Sequence, residues 1–79
     1  METYRTGTVV DVMPQGTIVT VLVRLEDDRP YALHFDQRPF YHMVEDLRVS
    51  PDRLIGLHIE ILHSDDGEYV RFPESEAPL

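Results

Sequence analysis

The chain has 79 residues, 15 acidic and 7 basic side chains, a formal net charge of −8 and no cysteine. A chain of this length forms one small domain with a thin core, and without cysteine it has neither disulfides nor thiolate–zinc sites to stabilise it. The excess of acid repels phosphate backbones and anionic membrane surfaces, so neither nucleic acid nor a membrane is the expected partner.

The start of the chain carries no targeting signal of the secretory type. Residues 1–10, METYRTGTVV, lack a basic stretch followed by an apolar block, so no signal peptide is predicted. No apolar segment approaches the roughly 18–20 residues that a membrane-spanning helix needs. The expected location is therefore the cytoplasm.

Three strands are predicted in the first half of the chain. Residues 4–13, 17–26 and 31–35 are rich in β-branched and aromatic side chains, a composition typical of strands. The segments PQG at 14–16 and DDRP at 27–30 separate them. Proline, glycine and aspartate favour turns, so the three strands are expected to form a meander.

The second predicted strand is apolar on both faces. One face carries Thr17, Val19, Val21, Val23 and Leu25, and the other carries Ile18, Thr20 and Leu22. A strand of this kind is covered on both sides. The first face is predicted to enter the core. Because the core is thin, Ile18 and Leu22 are expected to be covered by the helix or by a second copy of the chain, and we predict them as an oligomer interface.

The hydrophobic period changes after the third strand. Apolar side chains then recur at the helical spacing i, i+3, i+4 and i+7: Phe40, Met43, Val44 and Leu47. This spacing predicts a helix over about 38–48, with Asp36 as the candidate N-cap. A strand through FYHMV at 40–44 is the alternative, since two aromatic residues and a valine also suit a strand.

The segment SPDRLIGLHIEIL at 50–62 begins like a helix and continues like a strand. Ser50 can cap a helix, Pro51 suits its first position and Gly56 suits its end. A single helical turn is therefore predicted over 51–55, with Leu54 and Ile55 pointing inward. We interpret this turn as a corner of the fold and not as a functional site.

A hairpin is predicted at the end of the domain. Its strands cover 57–62 and 68–72, and the segment SDDG at 64–67 joins them, with Asp66-Gly67 suited to the tightest hairpin turn. Alternation places Ile59, Ile61, Val70 and Phe72 inward. The domain is expected to cover 1–73, followed by a flexible acidic tail at 74–79.

The predicted order is a three-stranded meander, a short helix and a two-stranded hairpin. Five short strands avoid exposed edges by closing into a barrel. The order is similar to the OB-fold over nearly the whole chain. In addition, the opening hairpin resembles that of S1-type RNA-binding barrels through Gly7-Thr8-Val9, Gly16 and the alternating Val19, Val21 and Val23.

The resemblance implies a mostly β, five-stranded OB-like barrel with its helix between strands 3 and 4. An SH3-like barrel is the alternative if 38–48 is not helical. OB-type barrels bind nucleic acid through aromatic and basic side chains on strands 2 and 3. Strand 2 has no aromatic residue and one base, Arg24, while Tyr31 and Phe35 share the face of Leu33 and are predicted in the core. Nucleic-acid binding is thus the second hypothesis, and it requires Arg24, Arg29 and Arg71 to gather on one face.

Neither catalysis nor metal binding has a clear signal in the sequence. The four histidines show no recognised ligand spacing, and only His58 with Glu60 could supply two ligands from one strand face. The serines occupy a cap, a turn and the tail, without an adjacent base to activate them. We therefore predict no enzyme, no metal and no cofactor.

The segment FDQRPFY at 35–41 is the best candidate for a contact surface. It combines an arginine, aromatic residues and a proline at a strand–helix junction, and arginine and tyrosine are enriched where binding energy concentrates. Arg38, Tyr41 and His42 are the predicted binding residues. The sequence thus predicts an acidic, non-catalytic interaction module that self-associates or binds a protein partner.

Overall fold

The computed structural model describes residues 2–73. Five strands and one α-helix form the fold: β1 (Thr3–Gln15), β2 (Ile18–Leu25), β3 (Pro30–Asp36), α1 (Gln37–Leu47), β4 (His58–Ser64) and β5 (Gly67–Arg71). A short 3₁₀ helix, Pro51–Leu54, precedes β4. The mostly β composition and the helix between the third and fourth strands are confirmed, and the alternative strand at 40–44 is wrong.

The strands form one antiparallel sheet in the order β3-β2-β1-β4-β5. The central strand β1 changes partner along its length, because Gly7–Gln15 pairs with β2 and Thr3–Thr8 pairs with β4. A bulge between Val9 and Asp11 interrupts its pairing with β2. We call β2, β3 and the adjoining part of β1 the first wing, and β4, β5 and the adjoining part of β1 the second wing.

Gly7 lies where the two wings overlap on β1. It pairs with Leu25 of β2 and with Ile59 of β4. A Cβ atom at this position would lie 2.5 Å from the carbonyl oxygen of Arg24 and 2.8 Å from Cγ1 of Val23. Only glycine allows this close approach of two backbones, so a single residue permits the tight junction between the wings.

One hydrophobic core lies on the inner face of the sheet. The predicted core face of β2 is confirmed, and α1 adds its apolar stripe, with the rings of Phe35 and Phe40 5.7 Å apart. The fully or nearly fully buried members are Val9, Val19, Val21, Val23, Leu25, Leu33, Phe40, Val44, Leu54, Ile59, Ile61 and Phe72. Tyr31 and Phe35 pack against this core, as predicted.

The ends of α1 are formed by backbone contacts. Asp36 occupies the N-cap position, but its side chain makes no capping hydrogen bond. The backbone N–H of Gln37 donates to the carbonyl of Thr17 at 2.9 Å, which attaches the helix to the β1–β2 hairpin. At the other end Arg48 adopts a left-handed conformation, φ 58°, and its N–H donates to the carbonyl of Glu45.

Three details of the sequence prediction are wrong. Ile55 is 47% exposed, because a 3₁₀ helix has three residues per turn and the residue after inward-facing Leu54 points away. The first hairpin turns at Gly16-Thr17, so Pro14 lies within β1. The last hairpin turns at Asp65-Asp66, and Gly67 already pairs with Ser64 as the first residue of β5.

Two further expectations concern the C-terminal tail and the absence of a membrane-spanning helix. The flexible tail predicted at 74–79 lies outside the described residues. Among residues 2–73, neither α1 nor the 3₁₀ helix has the length and apolar character that crossing a membrane requires.

Candidate interaction surfaces

The outer face of the first wing carries an apolar patch. Met13 and Thr20 face each other across β1 and β2, and Leu22 faces Ala32 across β2 and β3. With Ile18 these residues form what we call the outer patch: Met13, Ile18, Thr20, Leu22 and Ala32. Met13, Ile18 and Leu22 are half-buried and do not belong to the hydrophobic core. They lie opposite the inner face, against which α1 packs its apolar stripe.

The one polar side chain within the outer patch has a partner. Thr20 is only 6% exposed, and its Oγ1 lies 3.1 Å from Nδ1 of His34 on β3. Because the Thr20 hydroxyl is hydrogen-bonded, covering it with a second molecule does not leave that hydroxyl unsatisfied. The outer patch is therefore suited to being buried further.

The residues predicted for binding lie together on α1. Arg38, Tyr41 and His42 line a concave surface of about 290 Å³ with Gln37 and Glu45. Helical spacing explains the grouping, since residues three and four positions apart share a face. Within residues 2–73, Arg38 makes no ion pair with Asp36 or any other acid. Half-buried Tyr41 contacts the ring of Phe40 edge-on, with centroids 5.4 Å apart.

The start of α1 lies beside one end of the outer patch. Ile18 pairs with Asp36, the residue immediately before α1. The hydrogen bond from the N–H of Gln37 to the carbonyl of Thr17 attaches the first helical residue beside Ile18. The predicted binding residues follow further along the helix, whose apolar stripe packs on the inner face of the sheet.

A polar cluster on the inner side connects the two edges of the sheet. The hydroxyl of Tyr31, on β3, donates to Oε2 of Glu68, on β5, at 2.7 Å and lies 2.9 Å from Nε2 of His63, on β4. The same Nε2 lies 3.1 Å from the carboxylate of Glu68. Because Tyr31 and Glu68 contact the same ring nitrogen, the geometry differs from that of a Ser-His-Asp triad, which uses both nitrogens of the ring. The three side chains join β3, β4 and β5, and we call them the clamp.

The environment of Tyr31 favours its neutral form. Burial and the hydrogen bond to the Glu68 carboxylate raise the pKa of the Tyr31 hydroxyl, and the guanidinium of Arg5, 5.8 Å above the ring, opposes this rise. The sequence did not reveal this cluster, because its members come from β1, β3, β4 and β5. The sequence indicated only that Tyr31 points inward, on the same strand face as Leu33.

A second row of exposed side chains crosses the outer face of the second wing. Tyr4 pairs with Leu62, and Leu62 pairs with Tyr69, so one row runs over β1, β4 and β5. Tyr4 is 58% exposed and Tyr69 54% exposed. We call Tyr4, Leu62 and Tyr69 the tyrosine row. Alternation with inward Val70 could have placed Tyr69 outside, but sequence reasoning missed the row because it requires the register of three strands.

An ion pair borders the tyrosine row. The carboxylate of Glu60 accepts a hydrogen bond from the Tyr4 hydroxyl and lies 3.6 Å from Nη1 of Arg71. The hydrogen bond to Glu60 raises the pKa of Tyr4. The tyrosine row, Glu60, Arg71 and Val70 together line a cavity of about 400 Å³.

The arginines required by the nucleic-acid hypothesis are spread over the molecule. Arg24 lies on β2 and Arg71 on β5, with two strands between them in the sheet. Arg29, in the β2–β3 connection, pairs with Asp27 at 3.3 Å, and Arg71 pairs with Glu60. The strand order therefore does not bring these three arginines to one place.

Within residues 2–73, no group of three or more His, Asp or Glu side chains is placed to hold a metal ion. His58 and Glu60 share the outer face of β4, as the alternation predicts. Glu60, however, contacts Tyr4 and Arg71.

Comparison with protein-family models, with curated proteins and with solved structures finds no significant match to this chain.

Proposed function

We propose that this protein is a non-catalytic interaction module that forms a symmetric homodimer through the outer patch. The fold we propose for it is an OB-like barrel. Two observations support the barrel. The helix α1 lies between β3 and β4 in the chain. The Tyr31 hydroxyl on β3 contacts His63 on β4 and Glu68 on β5, so it joins the two edge strands, β3 and β5. The helix over Gln37–Leu47 favours this order over the SH3-like alternative.

The outer patch is the observation that supports self-association most directly. Its aliphatic side chains face away from the core, and the helix that could have covered them packs on the inner face. Burying apolar surface contributes about 25 cal/mol per Å², and a thin single-domain core gains much from such burial. A two-fold contact would place Ile18 and Leu22 of one protomer against the same residues of its partner.

The helix surface extends this contact. The start of α1 lies beside Ile18, and in this proposal Arg38, Tyr41 and His42 of the helix contact the partner next to the apolar surface of Ile18 and Leu22. Stable interfaces have an apolar centre and a polar rim, and arginine and tyrosine are enriched among the residues that contribute most to binding. In this proposal Arg38 pairs with an acidic side chain of the partner.

Light scattering on a sizing column tests the proposal. We expect a dimer at both low and high salt, because apolar burial is not screened by ions. The variants Ile18→Glu and Leu22→Glu should convert it to a folded monomer. The matched control is Leu62→Glu, which introduces the same charge at a half-buried leucine on the outer face of the second wing and should leave the dimer intact. A wild-type monomer, or equal effects of Leu22→Glu and Leu62→Glu, would contradict the proposal.

The same experiment addresses nucleic-acid binding. A generic single-stranded oligonucleotide is added at low and at high salt. Binding through phosphate contacts weakens steeply as salt rises. A monomer that co-elutes with the oligonucleotide at low salt only would favour the nucleic-acid hypothesis. A dimer that does not co-elute with the oligonucleotide at either salt concentration supports the interaction module.

A further inference from the structure

A histidine lies beside the middle of the outer patch. The register of the first wing aligns Met13, Thr20 and His34 in one row across β1, β2 and β3. Ile18 and Leu22 lie on the two sides of this row, because each is two residues from Thr20 on the same strand face. A contact that covers both Ile18 and Leu22 therefore covers Thr20 between them. It also reaches His34, whose Cα lies about 5 Å away on the neighbouring strand.

The ring of His34 is exposed in the single protomer, and one of its nitrogens already has a partner. Its Nδ1 lies 3.1 Å from Oγ1 of Thr20, a residue that is only 6% exposed. This is the one side-chain hydrogen bond of Thr20 within residues 2–73. A neutral imidazole with its proton on Nε2 accepts through Nδ1 from the Thr20 hydroxyl, and both groups are then satisfied.

Protonation of the imidazole reverses this hydrogen bond. Both nitrogens of an imidazolium are donors, so Nδ1 of His34 would donate and Oγ1 of Thr20 would accept. The hydroxyl hydrogen of Thr20 would then lose its acceptor at a position that is nearly buried. In the monomer, water reaches the exposed imidazolium ring. In the dimer the partner excludes that water, so the unsatisfied hydroxyl and the charged ring both destabilise the contact.

The charged side chains on this face do not pair with His34. Asp36 lies two residues further along β3, about 7 Å away along the strand, and Asp11 on β1 and Arg24 on β2 border the patch. Within residues 2–73, His34 forms no ion pair with these or any other charged groups. The helix packs on the opposite face. A two-fold contact also brings the partner's imidazolium to the same interface, and like charges repel.

From these observations we infer that protonation of His34 dissociates the homodimer, so that acidification controls self-association. The inference rests on the proposed dimer through the outer patch. Histidine is the side chain whose charge characteristically changes between pH 5 and 8, and the switch acts in that range. Protons and the partner protomer compete, because each weakens the binding of the other. The dimer is therefore stable on the alkaline side of this range and dissociates on the acidic side.

The overall charge of the chain predicts the opposite response. Two copies that each carry a net charge of −8 repel each other. Acidification lowers this net negative charge and by itself would tighten the dimer. A dimer that weakens at low pH therefore reports a group within the interface and not the overall charge.

Sedimentation equilibrium of the full chain at about pH 8 and about pH 5.5, at constant ionic strength, measures the dissociation constant of the dimer on both sides of the histidine range. We expect it to rise about tenfold or more at the lower pH, since each protomer must release a proton before it pairs. A dimer whose dissociation constant is equal at both pH values, or smaller at the lower one, would overturn the inference and leave the proposed dimer in place. A monomer at pH 8 would contradict the dimer itself and the switch with it.

Histidine variants locate the switch. In His34→Gln the amide oxygen can accept from the Thr20 hydroxyl but carries no titrating charge, so this variant should remain a dimer at both pH values. The matched control is His58→Gln, at an exposed histidine on the outer face of the second wing, which should keep the wild-type pH dependence. A fall in affinity that persists in His34→Gln would assign the effect to another group, such as His42 on α1, and overturn the inference.

Two further variants separate the charge from the hydrogen bond. His34→Arg carries a permanent charge and should be a monomer at both pH values, with circular dichroism showing that it is folded. Thr20→Val removes the hydroxyl and keeps the titrating ring, so the dimer should still weaken on acidification but by a smaller factor than in the wild type. A stable His34→Arg dimer would overturn the role of the charge, and an unchanged factor in Thr20→Val would overturn that of the hydrogen bond.

Discussion

The two wings of the sheet share one strand and one core but present different outer faces. The outer face of the first wing carries half-buried aliphatic side chains, Met13, Ile18 and Leu22, whereas that of the second carries exposed Tyr4 and Tyr69 around half-buried Leu62. Flexible or branched aliphatic groups gain most from complete burial, whereas tyrosines remain stable when half in water because the hydroxyl stays solvated. The first wing therefore gains more from being covered than the second does.

The wings also differ in how they are held. The first wing is covered by α1, which contributes Phe40 and Val44 to the core. The second wing contributes Phe72, at the end of β5, and has no α-helix of its own within the described residues. Instead, the clamp of Tyr31, His63 and Glu68 connects it to β3. Five substitutions test how each wing is stabilised.

Truncating the buried phenylalanine that packs against either wing, Phe40 of α1 or Phe72 after β5, has the largest expected effect. Phe40→Ala and Phe72→Ala each remove a ring with almost no exposed surface, and we expect each to lower the free energy of unfolding by about 3–5 kcal/mol. Urea denaturation at one protein concentration measures this, with exposed Tyr69→Ala as the control that should stay within about 0.5 kcal/mol. A large loss for only one phenylalanine would show that the wings do not share a cooperative core.

The junction between the wings comes next. Gly7→Ala places a methyl group 2.5 Å from the carbonyl oxygen of Arg24, and backbone atoms cannot yield as a flexible side chain does. We expect a loss of about 1–3 kcal/mol in the free energy of unfolding. Thr8→Ala, at the next position of β1, is the control. If Gly7→Ala were neutral, the close contact between the wings would not contribute to stability.

The clamp has a smaller effect, with a distinctive pH dependence. Tyr31→Phe removes the hydroxyl that joins β3 to β5, at a cost of about 1 kcal/mol at neutral pH. Since the pKa of Tyr31 is raised in the folded protein, the unfolded chain loses its tyrosine proton first as the pH rises. The stabilisation is therefore complete below about pH 10, the ordinary tyrosine value, and is lost as the pH rises through the higher folded pKa.

Unfolding between pH 8 and 12 measures this dependence. Tyr31→Phe should flatten the alkaline fall in stability. Part of the fall should remain, because hydrogen bonding to Glu60 also raises the pKa of Tyr4. Tyr69→Phe is the control, and it should keep the full slope. An unchanged slope in Tyr31→Phe would show that the clamp does not form in solution.

The smallest expected effect is at the turn of the first wing. Arg29 and Asp27 are mostly exposed, and exposed ion pairs contribute about 0–1 kcal/mol, less at high salt. Arg29→Ala should change the free energy of unfolding by less than about 0.5 kcal/mol. The urea transition at low and at high salt measures it, and a loss above 1 kcal/mol would give this turn a structural role that its exposure does not explain.

Much of the local structure was predictable because it depends on neighbours along the chain. The i, i+3, i+4, i+7 spacing from Phe40 to Leu47 predicted α1, and strand alternation correctly placed Val19, Val21 and Val23 inside. The prediction that Gly56 suits the end of the helical turn was also right, since Gly56 has a positive φ of 93°. Errors arose where two local signals competed, as at Ile55, where an apolar side chain follows a turn that points it outward.

The candidate surfaces were predictable only in part. Arg38, Tyr41 and His42 line one concave surface, as their helical spacing predicts, and their role in binding stays a prediction. Ile18 and Leu22 were placed outside by alternation. The tyrosine row and the clamp were missed because each joins the β4–β5 hairpin to a strand that is distant in the sequence, and no local period records which strands become neighbours.

Local sequence patterns were enough to predict five strands, one helix, and which side of each element faces the core. Three features emerge only when the whole chain is folded: β1 pairs with both β2 and β4, Tyr31 contacts Glu68, and Tyr4, Leu62 and Tyr69 form one row. Periodicity acts between residues a few positions apart, whereas strand order and register follow from packing the whole chain around one core.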